Sequence, residues 1–401
     1  MNKSFRFRDV FMICFPVAAV WIGGQVGPAL AAGTTAKTYF ASFGSYGIWS
    51  AIISQIACGI LIFFGSELGR IRKCRDYKSS SQFALGRLGE IKWFWKLYPI
   101  LTDILTFVAM CLTSALMFNM MGQVLIAIFH CSTFVAYVIC AVLFVISVMW
   151  GTDVLAKLST GLTIAMVFCF ALIFGFGWVL SKENALHFFN VFDTLGTTGS
   201  QAFAMCWAYI GIQYGFSRSC CMFNQRFTSW KHSLWMAIAG VVVNCVFLIL
   251  SILNVLCYYP ESFTYDAPHL QIILNFYSEI APWMQWIYYI TMILACVSTA
   301  VTAIISLVVR WKPIVFKNSK LNDFAQQGIL SSVLMAICIA LSFLGMTTIM
   351  SEYYSKVGTL NLWMGIIPYL VIWPINYFRM GKKKREELAA MPELSERGET
   401  A

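Results

Sequence analysis

Apolar and polar positions along the chain fall into long blocks. They show neither the alternation of a sheet nor the narrow stripes of a soluble helix. Ten apolar runs, at about 10–36, 43–66, 98–128, 133–150, 158–180, 198–216, 233–257, 282–309, 328–348 and 357–378, are bounded by charged or turn residues. A helix needs about 20 residues to cross the hydrocarbon of a bilayer, and runs of this length fit that requirement. None has the period-2 pattern of a membrane barrel. The pattern predicts an all-α, polytopic membrane protein of ten transmembrane helices, spans 1 to 10.

Composition agrees. Hydrophobic residues make up 59% of the 401 and charged residues only 11%, against about 25% charged in a soluble domain. Such a chain cannot cover a water-facing surface of its own size, which excludes a large soluble enzyme. Disorder needs the opposite composition. The spans leave room for a single transmembrane domain over 1–380 and a charged tail over 381–401, read as disordered. The net charge of +10 is spread between spans and not gathered on a soluble face, so nucleic acid is not indicated. With the N-terminus cytoplasmic, 25 of the 28 Lys and Arg residues lie on the cytoplasmic side; only Lys37, Lys182 and Lys356 lie outside. This is the positive-inside distribution. It predicts a multi-pass protein of the cytoplasmic (inner) membrane with both termini cytoplasmic and the lipid bilayer as its first partner.

Several local features refine the layout. Ala29-Leu30-Ala31-Ala32 after a basic start imitates a signal-peptide cleavage site. The apolar stretch is too long for one and contains Gly23, Gly24, Gly27 and Pro28, so it is read as a mature helix. Residues 78–96 mix aromatic and basic residues and suit a short interfacial helix. Residues 258–281 carry no Lys or Arg and suit a helical lid over an outer vestibule or a plain surface loop. The fourteen cysteines sit mostly in apolar runs without zinc spacing, as small reduced core residues do. Cys220 and Cys221 are placed in a short basic loop.

Ten spans divide into five plus five, repeat one over about 10–180 and repeat two over about 198–378. Because five is odd, the second half starts on the opposite face, and similar halves form an inverted repeat. Span 1 is rich in glycine and contains Pro28; span 6 (LGTTGSQAFAMCWAYIGIQYGF) is glycine-rich too, and spans 3 and 8 are both long. A helix broken at the membrane midplane frees amide and carbonyl groups that hydrocarbon does not tolerate, unless an ion or polar solute satisfies them. Freed N–H groups suit a carboxylate and freed carbonyls a cation. The competing reading is that the glycines serve close helix packing. In span 1 the grouping of Gly23, Gly24, Gly27, Pro28 and Gly33 favours a break.

The stretch from Ile22 to Gly47, IGGQVGPALAAGTTAKTYFASFGSYG, resembles the opening of the bacterial YkvI-type membrane proteins. Their pattern there runs I-G-x-x-x-G-A-G-F-A-S-G, then a spacer and F-x-x-F-G-x-x-G. PHLQIILNFYSEIAPWMQWIYYITMILACVSTAVTAI is similar to that family's outer loop and eighth helix. GTDVLAK (Gly151 to Lys157) is similar to a turn before the fifth helix in LeuT-fold transporters. The family is similar to the amino acid–polyamine–cation superfamily. The resemblance implies the LeuT fold and a sodium site of helix-1 carbonyls with a helix-8 carbonyl and hydroxyls. Here these positions are Gly23, Val26, Ala295, Ser298 and Thr299, hard oxygen ligands suited to a hard cation. On the residues alone, Ser298 and Thr299 are as readily bonded to their own backbone. A lysine that proton-driven members place on helix 5 is replaced by Met166. The resemblance places a substrate between breaks in helices 1 and 6, near Gly24, Gln25, Gly27 and Ala29 on one side and Ala204, Trp207 and Tyr209 on the other. Pro28 and Ala29 depart from the pattern, and Pro28 removes one N–H that could hold a carboxylate. Trp207 and Tyr209 could cover an apolar or cationic solute or simply pack.

Asp103 lies within span 3, close to its cytoplasmic end. An acid there suits a proton carrier or gate, or an interfacial acid paired with Lys96 or the nearby arginines. Gln25, Gln55, Asn119, Gln123, Gln201, Gln213 and Asn244 are expected as interhelical hydrogen-bond partners, with Gln25 singled out by its place in the break. No metalloprotease, nucleophile-elbow or P-loop motif is present. The expected function is secondary active transport of a small amino-acid-like or amine solute by alternating access, with Na+ as coupling ion and no other cofactor. The alternative is a non-transporting nutrient receptor of the same fold, like the membrane subunits of spore germinant receptors.

Overall fold

The computed structural model describes residues 10–74, 77–85, 92–149, 152–221 and 227–390, and these are helical with connecting turns. The first span is in three pieces: α1 (Phe15–Gln25), α2 (Pro28–Ala31) and α3 (Thr34–Tyr39). Pro28 causes the first interruption. It has no N–H to offer the carbonyl of Gly24 four residues back, and its ring would crowd that carbonyl in a continuous helix. The chain instead turns out at Gly27, with ψ 176°, and Pro28 opens the next helix, where a missing donor costs nothing. Gly33 causes the second interruption with φ +82°, a conformation costly for any residue with a side chain.

Next come α4 (Gly44–Arg72), α5 (Tyr77–Ala84), α6 (Lys92–Phe129), α7 (Thr133–Met149), α8 (Thr152–Asn190), α9 (Gly199–Cys221) and α10 (Trp230–Cys257). A short α11 (Pro268–Ile272) precedes α12 (Trp283–Val315), α13 (Asp323–Ser342), α14 (Ile349–Arg379) and α15 (Gly381–Ala390). Six helical segments among the described residues are long and apolar enough to cross a membrane. Their outward faces carry large apolar side chains such as Ile53, Val242, Val333 and Trp363, as a lipid-facing surface requires.

Several expectations change. Span 6 is not broken: α9 runs uninterrupted from Gly199 to Cys221, through the pair assigned to a basic loop. Its glycine does a different job. A side chain on Gly211 would strike the carbonyl of Gly358 on α14, and one on Gly358 would strike the carbonyl of Ala208. The two glycines let these helices touch backbone to backbone, the packing use of small residues in membranes. The tail is helical over Gly381–Ala390; residues 391–401 lie outside the described residues. So do 1–9 with Lys3, Arg6 and Arg8, and also Arg75, Arg87, Gly151 and Arg226. Helices α6, α8 and α12 extend past their apolar runs because backbone hydrogen bonding does not stop where hydrocarbon ends.

The sequence did not flag a charged cluster at the end of α4. Glu67 and Arg70 are fully buried and joined by two 2.8 Å hydrogen bonds. Ser233 of α10 donates to Glu67 at 2.6 Å and Tyr377 of α14 at 3.1 Å, while Glu386 of α15 lies 3.5 Å from Arg70. One carboxylate thus ties three transmembrane helices together. Removing one member of a buried pair strands the other charge, at about 3–5 kcal/mol. Arg70→Met is therefore expected to lower the thermal midpoint of the detergent-solubilised protein sharply. The double variant Glu67→Gln, Arg70→Met should recover much of the loss.

Candidate functional site

The break in the first span opens onto a partly open cavity. Gly24, Gln25, Gly27 and Ala29 form one wall, Thr113 and Met117 of α6 a second, and Tyr209, Ile212 and Gln213 of α9 a third. Tyr39, Tyr354 and Thr299 complete it. Its free volume is about 40 Å³, room for about three water molecules. A larger solute needs the surrounding helices to part.

Gln25 is 5% exposed, and both its amide nitrogen and its amide oxygen are buried without a partner. Gln213 has an unpartnered Oε1. The other polar groups are already engaged. Gln55 donates to the Tyr209 hydroxyl at 3.4 Å, Tyr354 and Thr113 share a 3.0 Å bond, and Tyr39 bonds the Met350 carbonyl and Ser355. A buried polar atom left unpaired costs about 1–3 kcal/mol, so two such amides on one small cavity need explaining. Among the described residues, no charged side chain lines it.

The predicted substrate residues divide. Gly24, Gln25, Gly27, Ala29 and Tyr209 line the cavity; Ala204 and Trp207 do not. Ala204 is exposed, and Trp207 stacks on Phe203 at 5.7 Å, itself 58% exposed, on the outer side of α9. Since α9 does not break, its outward face cannot turn in. The sequence reading missed Tyr39, Thr113, Gln213 and Tyr354 as wall residues. For Gln213 a signal existed: it stands one helical turn beyond Tyr209, on the same face.

Of the predicted ion ligands, the structure brings Thr299 to the break. Its hydroxyl reaches the Gly23 carbonyl at 3.4 Å, so it is directed across to α1 and not back along its own helix. Val26 and Ala295 are buried, and Ser298 is half-buried with its carbonyl accepting from Thr302 at 2.8 Å. Neutral hydroxyl and carbonyl oxygens fit a monovalent hard cation, with no carboxylate to suit a divalent one.

Two closures flank the cavity. On the side where α4 ends and α6 begins, Arg310 of α12 grips Asp103 through Nε at 3.0 Å and Nη2 at 2.6 Å. Arg310 is thus a partner of the predicted gate acid. On the opposite side, residues 258–281 form the expected helical lid, with turns at Glu261–Thr264 and Ile273–Tyr277 around α11. His269 of this lid is fully buried against Phe174 and the backbone of Gly33. Asn254 Nδ2 can only donate, so Nδ1 of His269 accepts at 3.0 Å. The ring proton is then on Nε2, which donates to Ser251 at 2.8 Å, and Ser251 donates to the Leu30 carbonyl at 3.3 Å. The His269 amide bonds the Ala32 carbonyl at 2.9 Å, Thr34 donates to Asp266 O at 2.7 Å, and Lys37 donates to the carbonyls of Phe263 and Tyr265. The lid is thereby fastened to α2 and α3. Burial pushes the His269 imidazole down to about 3.

No family profile matches the chain, and no curated protein sequence does. Solved structures do. A mutant of the Eremococcus coleocola manganese transporter is 15% identical with a TM-score of 0.65, over 92% of this chain and 80% of that one. The structure of MhsT in complex with L-phenylalanine is 11% identical with a TM-score of 0.65, over 98% of this chain and all of the other. The chain has the LeuT fold that these transporters share.

The His269 clasp makes a prediction about acid. The folded state keeps the imidazole neutral down to about pH 3, whereas released into water it binds a proton below about 6.5. The released form therefore gains protons as pH falls from 6.5, and the clasp weakens by about 1.4 kcal/mol per pH unit in that window. The thermal midpoint should fall between pH 7.5 and 5.5, and less steeply in His269→Gln. Identical slopes in the two proteins would rule the clasp out as the cause.

Proposed function

We propose that the chain is a secondary active transporter that moves a small, amino-acid-like solute through alternating access, coupled to Na+. The observation carrying this is the unpartnered amide of Gln25 together with the unpartnered Oε1 of Gln213, both on the cavity at the helix break. A solute with both donors and acceptors would satisfy them. The uncharged walls favour a net-neutral solute such as a zwitterion over a simple amine, since a lone cation would lose its hydration without a counter-charge. They also argue against a divalent metal as cargo, which needs several oxygen ligands, carboxylates among them. The substrate-facing set is Gly24, Gln25, Gly27, Ala29 and Tyr209, with Gln213 added and Ala204 and Trp207 withdrawn.

Sodium is assigned to Gly23, Val26, Ala295, Ser298 and Thr299. Bound there, it would satisfy carbonyls freed by Pro28 and place the one positive charge next to the cavity, where a zwitterion's carboxylate can meet it. Asp103 with Arg310 serves as the gate on the basic side and the 258–281 lid as the closure opposite. We also infer ten spans in two inverted halves, about 10–180 and 198–378, in the cytoplasmic membrane with cytoplasmic termini, as the positive-inside distribution directs. The YkvI-type family remains the proposed home of the sequence, on the motif in span 1.

Proteoliposomes tested with an amino acid and amine panel should show uptake driven by an inward sodium gradient. No ion-dependent uptake of any member would overturn the reading. Gln25→Leu should abolish uptake while raising the thermal midpoint, because it removes a buried polar group that costs about 1–3 kcal/mol when unpaired. Loss of both uptake and stability would make Gln25 merely structural. Ser298→Ala with Thr299→Ala should remove the sodium dependence of solute binding; unchanged dependence rejects the ion assignment.

A further inference from the structure

A second cavity, of about 360 Å³, lies at the end of the bundle where α4 finishes and α10 starts. Its wall changes character with depth. Phe63 of α4, Trp230 at the start of α10, and Tyr377 and Phe378 at the end of α14 supply aromatic surface; Lys382, Arg385 and Glu386 of α15 supply charge. Phe378 is 69% exposed and Trp230 36%, so the aromatic part opens outward to the apolar surroundings of the bundle. Aromatic rings with basic groups beside them mark the headgroup level of a membrane.

The charges are arranged for an anion. The Arg385 guanidinium lies 3.8 Å over the Tyr377 ring and donates to the Tyr377 carbonyl at 3.2 Å, which fixes the group and leaves further N–H donors. Lys382 stands one turn before it, and Lys383 and Lys384 are exposed on the same helix. Glu386, the one carboxylate on the wall, is turned to the buried Arg70 at 3.5 Å. A soluble anion would use the basic rim and leave the aromatic wall idle. A lipid uses both, its phosphate on the cations and its chains along Phe63, Phe378 and Trp230.

We propose that this cavity is a binding site for one anionic phospholipid. Its headgroup is held by Lys382 and Arg385, and it braces α15 against the ends of α4, α10 and α14. Helix α15 then serves as a lipid-dependent strap and not as a free tail.

The test titrates the full-length protein in detergent with phosphatidylglycerol, with phosphatidylcholine of the same chains, and with glycerol 1-phosphate. Binding is read from the thermal midpoint. Phosphatidylglycerol is expected to raise the midpoint saturably and the other two not to. Each cation near an anionic lipid contributes about fivefold in affinity, so Lys382→Gln with Arg385→Gln should weaken the response about 25-fold. Arg385→Lys, which keeps the charge, should weaken it less than fivefold. Equal shifts with phosphatidylcholine, equal shifts with glycerol 1-phosphate, or an unchanged response in the double variant would each overturn the proposal. If the double variant is itself less stable, tryptophan quenching by phosphatidylglycerol with brominated chains decides. Trp230→Phe should remove the saturable part of the quenching, and its persistence overturns the site.

Discussion

Hydrocarbon does not forgive an unpaired peptide group, and the break at Gly27 and Pro28 takes intrahelical donors away from the last carbonyls of α1. Pro28 withholds the donor that the Gly24 carbonyl would have used, and the turn at Gly27 ends α1 with its last carbonyls pointing into the bundle. Each unsatisfied group at that depth costs several kcal/mol. Other elements must therefore come to the break or water must be let in. Thr299 of α12 comes to it at 3.4 Å. The cavity provides the rest, with Gln25 held at its edge, both polar ends of the side chain unpaired. A fold whose central helix is broken in this way is stable only when something polar is present at the break. That requirement is the physical basis for reading the place as a binding site.

The two closures around the cavity are built from different chemistry. Asp103 and Arg310 form a nearly buried ion pair with both Arg310 contacts on one carboxylate oxygen. Such a pair is strong when closed, and each charge recovers hydration when the helices part, so opening is less costly than the closed geometry suggests. The His269 clasp is neutral and has no ion to rehydrate. It holds because every ring nitrogen has a partner of the right sense and the ring fills the space over Gly33. Salt acts on the first closure and acid on the second. The two ends of the molecule thus carry contacts that respond to different conditions.

Much of this was legible in the sequence. The length of the apolar runs, their bounding charges and the grouping of Gly23, Gly24, Gly27, Pro28 and Gly33 identified the helices and the break, because those features act locally on the backbone. What was not legible depends on partners far apart in the chain. A glycine-rich span looks the same whether its glycines unwind it or pack it; only the position of Gly358 opposite Gly211 decides, and it decides for packing. Trp207 and Tyr209 are two residues apart and therefore on different faces of an unbroken helix, which sends one outward and the other to the cavity. Asp103 was visible as an intramembrane acid, but Arg310 lies 207 residues away. Glu67 and Arg70 follow directly on the apolar run that ends at residue 66. Their burial depends on Ser233 and Tyr377, which no local pattern links to them.

The two halves of the broken helix are held unequally, and this bears on how the cavity opens. The outer pieces α2 and α3 are tied through Leu30 O to Ser251, through Ala32 O to the lid, through Thr34 and Lys37 to lid carbonyls, and through Tyr39 to Met350 and Ser355. Moving them means moving the lid as well. The inner piece α1 has its indole Trp21 packed face-on over Gly240 with Nε1 unpaired, Gln25 unpaired, and the long Thr299 contact at its end. Apolar packing against neighbouring helices is non-directional. The directional constraint at the break falls on the outer pieces, whose hydrogen bonds must break or travel with residues 258–281 if the turn at Gly27 is to change.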